Sequence, residues 1–180
     1  TLAKLPENVE FALCNNIAAV QLAKEAGLKV HAGFGMNVFN MRSFERLSCE
    51  AEDITLSFEL TLAKDSEIGG GIIAYGRLPL MLTRNCPKGG AKRCGSCTKE
   101  LTDRKGMRFP LMCGAGYSEI LNCLPLSLSF EKDGLDRFDF IELYFTDEPP
   151  QRCREVIDAY LHRRVLREET TRGLYYRGVL

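Results

Sequence analysis

Between residues 83 and 108 the chain carries only one Leu, Ile or Val, at Leu101, yet it places Cys86, Cys94 and Cys97 there and Cys113 just beyond. A segment with so little apolar side chain cannot order itself by burying a core, so its structure must come from another source, and a bound metal is the natural one. The four Cys are separated by seven, two and fifteen residues, and the pair Cys94-Gly95-Ser96-Cys97 forms a turn in which two thiolates can face one ion. Four thiolates form a soft-ligand set that suits tetrahedral zinc or an iron-sulfur cluster, and the spacing matches neither common ferredoxin pattern. The neighbouring Lys and Arg favour the thiolate form. The other four, Cys14, Cys49, Cys123 and Cys153, stand in apolar strand or helix contexts and read as small buried hydrophobes. Eight Cys without a secretory pattern point to a reducing compartment, with cytoplasmic localisation as the expectation.

On either side of this segment the chain has the makings of an ordinary core. Of its 180 residues 45% are hydrophobic and 27% charged, and no apolar run approaches the roughly 18 residues of a membrane span, so no membrane partner is expected. Val9 to Cys14 reads as a strand, Asn15 or Asn16 caps a helix that stops at Gly27, and Leu28 to Ala32 is a second strand. Ile17, Val20, Leu22 and Ala23 give that helix an apolar face. Ser43 is expected to cap a helix over Phe44 to Glu50, Ile54 to Leu60 to be a third strand, Leu62 to Ile68 a helix, and Ile72 to Leu82 a β-rich stretch interrupted by Pro79. Beyond the Cys-rich segment, Arg108 to Cys113 and Ser118 to Cys123 flank Gly114 and Gly116 as a hairpin, Phe138 to Phe145 is a strand, Pro149 and Pro150 lie at the start of a helix, and Cys153 to Arg167 is helical with Val156, Ile157, Tyr160 and Leu161 inward.

Repeated βα units imply an α/β fold with a mainly parallel sheet, and three or four of them are about half of an eight-unit barrel. The expectation is a partial TIM-like (β/α) barrel fragment with an inserted Cys-rich loop and β-hairpin. Residues 1–82 would carry the βα units, 83–130 the metal-binding loop and hairpin, and 131–180 the last strand, helix and tail, all in one domain. Because the chain starts at Thr1 without a Met or signal peptide, it reads as a carboxy-terminal fragment missing the first half of its barrel. Such a fragment exposes sheet edges and an apolar face, and would dimerise or pack its termini across the gap.

The net charge of zero conceals strong local asymmetry. Residues 71–118 carry nine basic and two acidic side chains, whereas residues 119–150 carry two and eight. Arg77, Arg84, Lys88, Lys92, Arg93, Lys99, Arg104, Lys105 and Arg108 make up the basic block, which surrounds the Cys set and suits a polyanion. RNA is the partner this suggests, contacted by Arg77, Arg84, Lys88, Lys92 and Arg93. Phe109, Tyr117 or Tyr75 would stack on an unpaired base, although core packing is the commoner role of such rings.

Several runs resemble the peptidase U32 family: GIIAYGRLPLMLTRNCP from Gly71, KRCGSC ending at Cys97, DRKGMRFPL from Asp103, ILNCLPLSLS from Ile120 and TRGLYYRGV from Thr171. The likeness extends from about Phe11 to the terminus and covers the carboxy-terminal part of the family's barrel domain. Some members are described as collagenase-like proteases; relatives take part in hydroxylating tRNA or ribosomal RNA bases, or a quinone precursor, with a four-iron, four-sulfur cluster on four Cys. The resemblance implies that Cys86, Cys94, Cys97 and Cys113 are the cluster ligands, with zinc as the alternative. Many members carry a Cys in an HGALC-like motif where this chain reads Tyr75-Gly76-Arg77-Leu78-Pro79, and Cys123 replaces an expected Ser.

The resulting expectation is participation in iron-sulfur-dependent RNA base modification by the intact protein. A U32-type peptidase is the alternative, and a scaffold with a structural four-cysteine zinc site the second. The fragment alone is expected to be inactive, and no catalytic residue is identified, since the sequence has neither a GxSxG elbow nor an HExxH helix. His31 and His162 have no partner nearby in sequence. His31 closes a predicted strand, where it either touches substrate or is satisfied locally. Asn37, Asn40 and Glu59 stand at or after predicted strand ends and are further candidates for lining a barrel mouth.

Overall fold

The computed structural model describes residues 5–6, 8–89, 94, 96–114, 116–131 and 134–177. Two compact units share the chain: one comprises Thr1–Ala74, Glu131–Leu143 and Arg172–Leu180, the other Tyr75–Phe130 and Tyr144–Thr171. The class is mixed α/β, and none of the sheets closes into a barrel.

The first unit begins with the predicted strand-helix-strand pattern. β1 (Phe11–Cys14), β2 (Lys29–Ala32) and β3 (Asp53–Ile54) form a parallel sheet in that order. Between the strands lie α1 (Ile17–Glu25) and α2 (Met41–Ser48). The Asn16 side chain accepts a hydrogen bond from Ala19 N at 2.9 Å and starts α1, while Gly27, at φ 73°, makes the left-handed turn into β2. Asn40, rather than Ser43, is the N-cap of α2; Ser43 is the reciprocal partner in a capping box.

Both helices cover the same sheet face. Cys14, Val20, Ala23 and Val30 form one buried cluster; Ala32, Val38, Leu47, Ile54 and Leu56 form the next. Each fully buried Leu of this kind contributes on the order of 2 kcal/mol. Of the predicted apolar face of α1, Val20 and Ala23 are buried, but Ile17 and Leu22 are exposed. The opposite sheet face has no helix: Phe11 and Leu13 are 47% and 55% exposed there.

The third strand is far shorter than its apolar alternation suggests. After Ile54 the backbone changes partner at each residue: Thr55 N donates to Ala32 O, Leu56 N to Gly71 O and Ser57 N to Val38 O. Ile54, Thr55, Leu56 and Ser57 are all buried, so burial does not alternate here, and the hydrogen bonds form no ladder. α3 (Leu62–Ile68), capped by Thr61, leads to β4 (Ile72–Gly76). In this unit β4 pairs with β10 (Ile141–Tyr144), which begins three residues later than the predicted Phe138.

In the second unit β5 (Pro79–Thr83), β6 (Glu100–Thr102), β7 (Arg108–Gly114) and β8 (Tyr117–Leu121) form an antiparallel sheet ordered β5-β8-β7-β6. The expected hairpin is its centre. β6 comes from within the Cys-rich segment, and the predicted Ile72–Leu82 stretch is two strands, separated at Arg77–Leu78. β9 (Leu126–Ser127) pairs antiparallel with Tyr75–Gly76, so the β4–β9 ladder departs from the parallel arrangement expected of a barrel. α4 (Pro150–Leu161) starts at the prolines, as expected, with Pro150 in its first turn where the missing N–H costs nothing, but it ends at Leu161, short of the predicted Arg167. Val156 and Ala159 are its buried residues, whereas Ile157 and Leu161 are 41% and 75% exposed, contrary to the inward face read from the sequence. Of the four Cys expected to be buried, Cys14 is, Cys123 and Cys153 are half-buried, and Cys49 is exposed.

Candidate functional site

The register of the four-stranded sheet places all four candidate ligands at one end. Thr83 of β5 lies opposite Ser118 of β8, which lies opposite Cys113 of β7. Cys86 follows Thr83 closely, so it leaves β5 at that end. On the far side, Leu111 N donates to Lys99 O at 2.8 Å, which keeps the chain before β6 alongside β7 and brings Cys97 towards the level of Cys113. Cys94 is joined to Cys97 by a turn in which Cys97 N donates to Cys94 O at 3.4 Å.

Two of these sulfurs already receive hydrogen bonds. Lys99 N donates to Cys97 Sγ at 3.3 Å and Ser118 Oγ to Cys113 Sγ at 3.8 Å. Cys94 and Cys113 are exposed, and Cys86 and Cys97 are half-buried. Among the described residues no group of three or more His, Cys, Asp or Glu side chains is gathered closely enough to hold an ion. Four thiols on one sheet end, two with N–H or O–H donors on sulfur, nevertheless have the donor chemistry of a soft-metal site.

The basic block is divided between the two ends of the sheet. Exposed Arg84, half-buried Lys88 and Lys99 lie at the cysteine end. Arg104 and Lys105 lie at the opposite end, in the β6–β7 turn, where the Asp103 carboxylate accepts from Lys105 N at 2.8 Å and Met107 N at 2.9 Å. Arg108 pairs with Glu100 at 3.8 Å. Arg77 is bound internally: its guanidinium donates to Asn122 O at 3.1 Å and to Cys123 O, with Nε 3.5 Å from Asp147. Lys92 and Arg93 lie outside the described residues. Tyr75 is buried, Phe109 half-buried, and Tyr117 48% exposed beside the sheet's outward Leu82 and Met112.

In the first unit Asn40 is the α2 cap and Asn37 takes a left-handed turn at φ 50°, so both serve the local backbone. Glu59 is half-buried in the turn after Ser57. His31, by contrast, has partners that the sequence could not show. It stands opposite Asp53 on the helix-free face, with Nδ1 3.7 Å from the Asp53 carboxylate and Nε2 2.9 Å from Thr55 Oγ1. Thr55 Oγ1 donates to Glu142 at 2.9 Å, and the Phe140 ring meets the imidazole edge-on at 5.1 Å. Period-two spacing after Asp53 puts Thr55 on the same face and was the one available signal; Phe140 and Glu142 arrive from a remote strand.

Comparisons with protein-family models, curated proteins and solved structures found no match to this chain. No helix among the described residues is long and apolar enough to cross a membrane.

Proposed function

We propose that this chain belongs to a U32-type protein that modifies RNA bases, in which Cys86, Cys94, Cys97 and Cys113 hold a four-iron, four-sulfur cluster. The observation that supports this reading is that Cys113 closes β7 beside Ser118 at the end where β5 runs on to Cys86 and Lys99 O pairs with Leu111 N, with Arg84, Lys88 and Lys99 near these Cys in sequence. The cluster would supply electron transfer when bound. The chain's own contributions are thiolates supported by Lys99 N and Ser118 Oγ, and cations that meet phosphates. A single-stranded base would stack on exposed Tyr117. The parallel β1-β2-β3 layer with helices on one face would then be a stretch of barrel wall.

Metal and acid-labile sulfide analysis, with an absorption spectrum on protein purified without oxygen, tests the cluster against a Cys94→Ser/Cys97→Ser variant. Iron with sulfide and a broad visible band lost in the variant supports the proposal. Zinc alone makes the site structural, because four thiolates leave no open position for hydrolysis or redox chemistry. Absence of metal from the anaerobic protein overturns the ligand assignment.

A further inference from the structure

Although α1 and α2 cover the same face of the first unit's sheet, they leave between them a cavity of about 440 Å³. Small-ligand sites usually measure about 300–1,000 Å³. Val20, Val38 and Leu47 form the cavity's floor and are each at most 8% exposed, so the space ends on the aliphatic core. Ile17 and Met36 stand at its walls. Ile17, the first residue of α1, is 69% exposed, an aliphatic side chain left in water beside that floor, and the flexible Met36 thioether can adapt to the shape of an apolar guest.

The polar groups around this cavity are not equally available to a ligand. The Ser43 hydroxyl is committed to Asn40 in the capping box, and the Gln21 amide donates to Glu25 at 2.8 Å. Glu50 already holds two cations: Oε2 accepts from Lys24, and Oε1 from Arg46 Nη1 at 3.3 Å. Lys24 and then Arg46 hold its carboxyl below the usual carboxylate range, so it stays ionised, and with both oxygens engaged it is a poor receptor for a cationic ligand. Arg46 differs, because a guanidinium is a fork of several N–H donors and Glu50 takes only one of its nitrogens. The set Lys24, Glu50 and Arg46 carries one surplus positive charge. It also ties α1 to the end of α2 at one end of the cavity, which limits the space to a short guest. The other charged groups of the two helices, Glu25, Arg42 and Glu45, do not line it.

We propose that this cavity binds a short-chain aliphatic monocarboxylate, its hydrocarbon tail on Val20, Val38 and Leu47 and its carboxylate on the Arg46 fork. Apolar area removed from water, on the tail and on Ile17 and Met36, supplies the affinity; the guanidinium sets the orientation and selects an anion over an alcohol or an amine. Binding is non-covalent and reversible. Every residue involved belongs to the first unit, so the site stands whether or not the cysteines bind a metal.

The test uses the full chain with carbon-13 in its methionine methyl groups, titrated with octanoate and, separately, with octanol. Octanoate should move the Met36 resonance progressively and leave those of Met81 and Met112, on the second unit's sheet, in place. A purely apolar site prefers octanol; here octanoate should bind about fivefold more tightly, the upper value of an exposed ion pair, and the margin should narrow as salt is raised. Arg46→Met should erase the preference and Arg46→Lys should keep part of it. Ile17→Asp, which puts a carboxylate on the exposed wall, should weaken octanoate more than octanol. Both positions are exposed, so these changes leave the core intact. Octanol binding as tightly as octanoate, an unchanged preference in Arg46→Met, or equal shifts at Met36, Met81 and Met112 would each overturn the proposal.

Discussion

The Phe140 ring occupies the space where a side chain on Gly71 would begin: a Cβ built at Gly71 would lie 2.2 Å from the ring. This absence of a side chain leaves room just before β4 for Phe140, which meets His31 edge-on, and it makes Gly71 the keystone of the His31 cluster. Gly71→Ala should destabilise the protein by about 1–3 kcal/mol, the usual cost of overpacking, as measured by urea unfolding. Combined with Phe140→Ala, which removes the ring, the cost of Gly71→Ala should shrink. Additive effects of the two changes would show that the ring and the glycine are not coupled.

Asp65, in α3, is fully buried and neither carboxylate oxygen has a hydrogen-bond partner among the described residues; burial pushes its acid up from 3.8 to about 7. Between those two values the unfolded chain gives up a proton that the folded chain retains, so this residue's contribution is intact below 3.8 and is lost as the pH rises through about 7. Asp65→Asn, isosteric with the protonated acid, should gain about 1–3 kcal/mol over the native protein at pH 8 and much less at pH 4. Denaturant midpoints measured across that range check the sign. A gap that does not change with pH would remove the assignment.

Arg77 and Arg84 are both basic residues of the same block but are expected to behave oppositely. Arg77→Met strips donors from the Asn122 and Cys123 carbonyls and should cost about 1–3 kcal/mol of stability while leaving RNA affinity nearly unchanged. Arg84→Ala should leave stability unchanged, weaken binding to single-stranded RNA and reduce the salt slope by about 1. Thermal unfolding and binding measured over a salt series separate the two effects; loss of RNA affinity in Arg77→Met alone would reverse the roles.

The sulfur contacts predict a graded response at the cysteine end. Ser118→Ala removes the hydroxyl that donates to Cys113 Sγ and should lower metal retention without abolishing it, whereas Cys113→Ser should abolish it. Competition with a chelator, followed by metal analysis, reads both. Equal retention in Cys113→Ser and the native protein would exclude Cys113 as a ligand.

Local chemistry was legible wherever a residue acts through its own neighbourhood. Asn16 and Gly27 set the ends of α1, the hairpin at Gly114 and Gly116 folds as its turn residues dictate, and the Cys-rich segment announces itself by lacking a core. Ile54 to Leu60 misled because its alternating apolar residues imitate a half-buried strand, whereas Thr55 and Ser57 are buried too and a strand requires one continuous hydrogen-bonding partner; here Ala32, Gly71 and Val38 take turns. Ile157 and Leu161 were read as inward from helical spacing, but which stripe of α4 is covered depends on its neighbours.

The sequence by itself determined the ends of α1, the central hairpin and the strand-helix-strand start, because each depends on residues close together in the chain. Tertiary structure alone decided that Arg77 would be tied to carbonyls, that the basic residues would divide between two sheet ends, and that Asp53, Thr55 and Glu142 would surround His31. Those relationships link residues up to 87 positions apart in a single hydrogen bond, from Thr55 to Glu142. Strand register and the missing side chain of Gly71 create them, and neither leaves a periodic trace in the sequence.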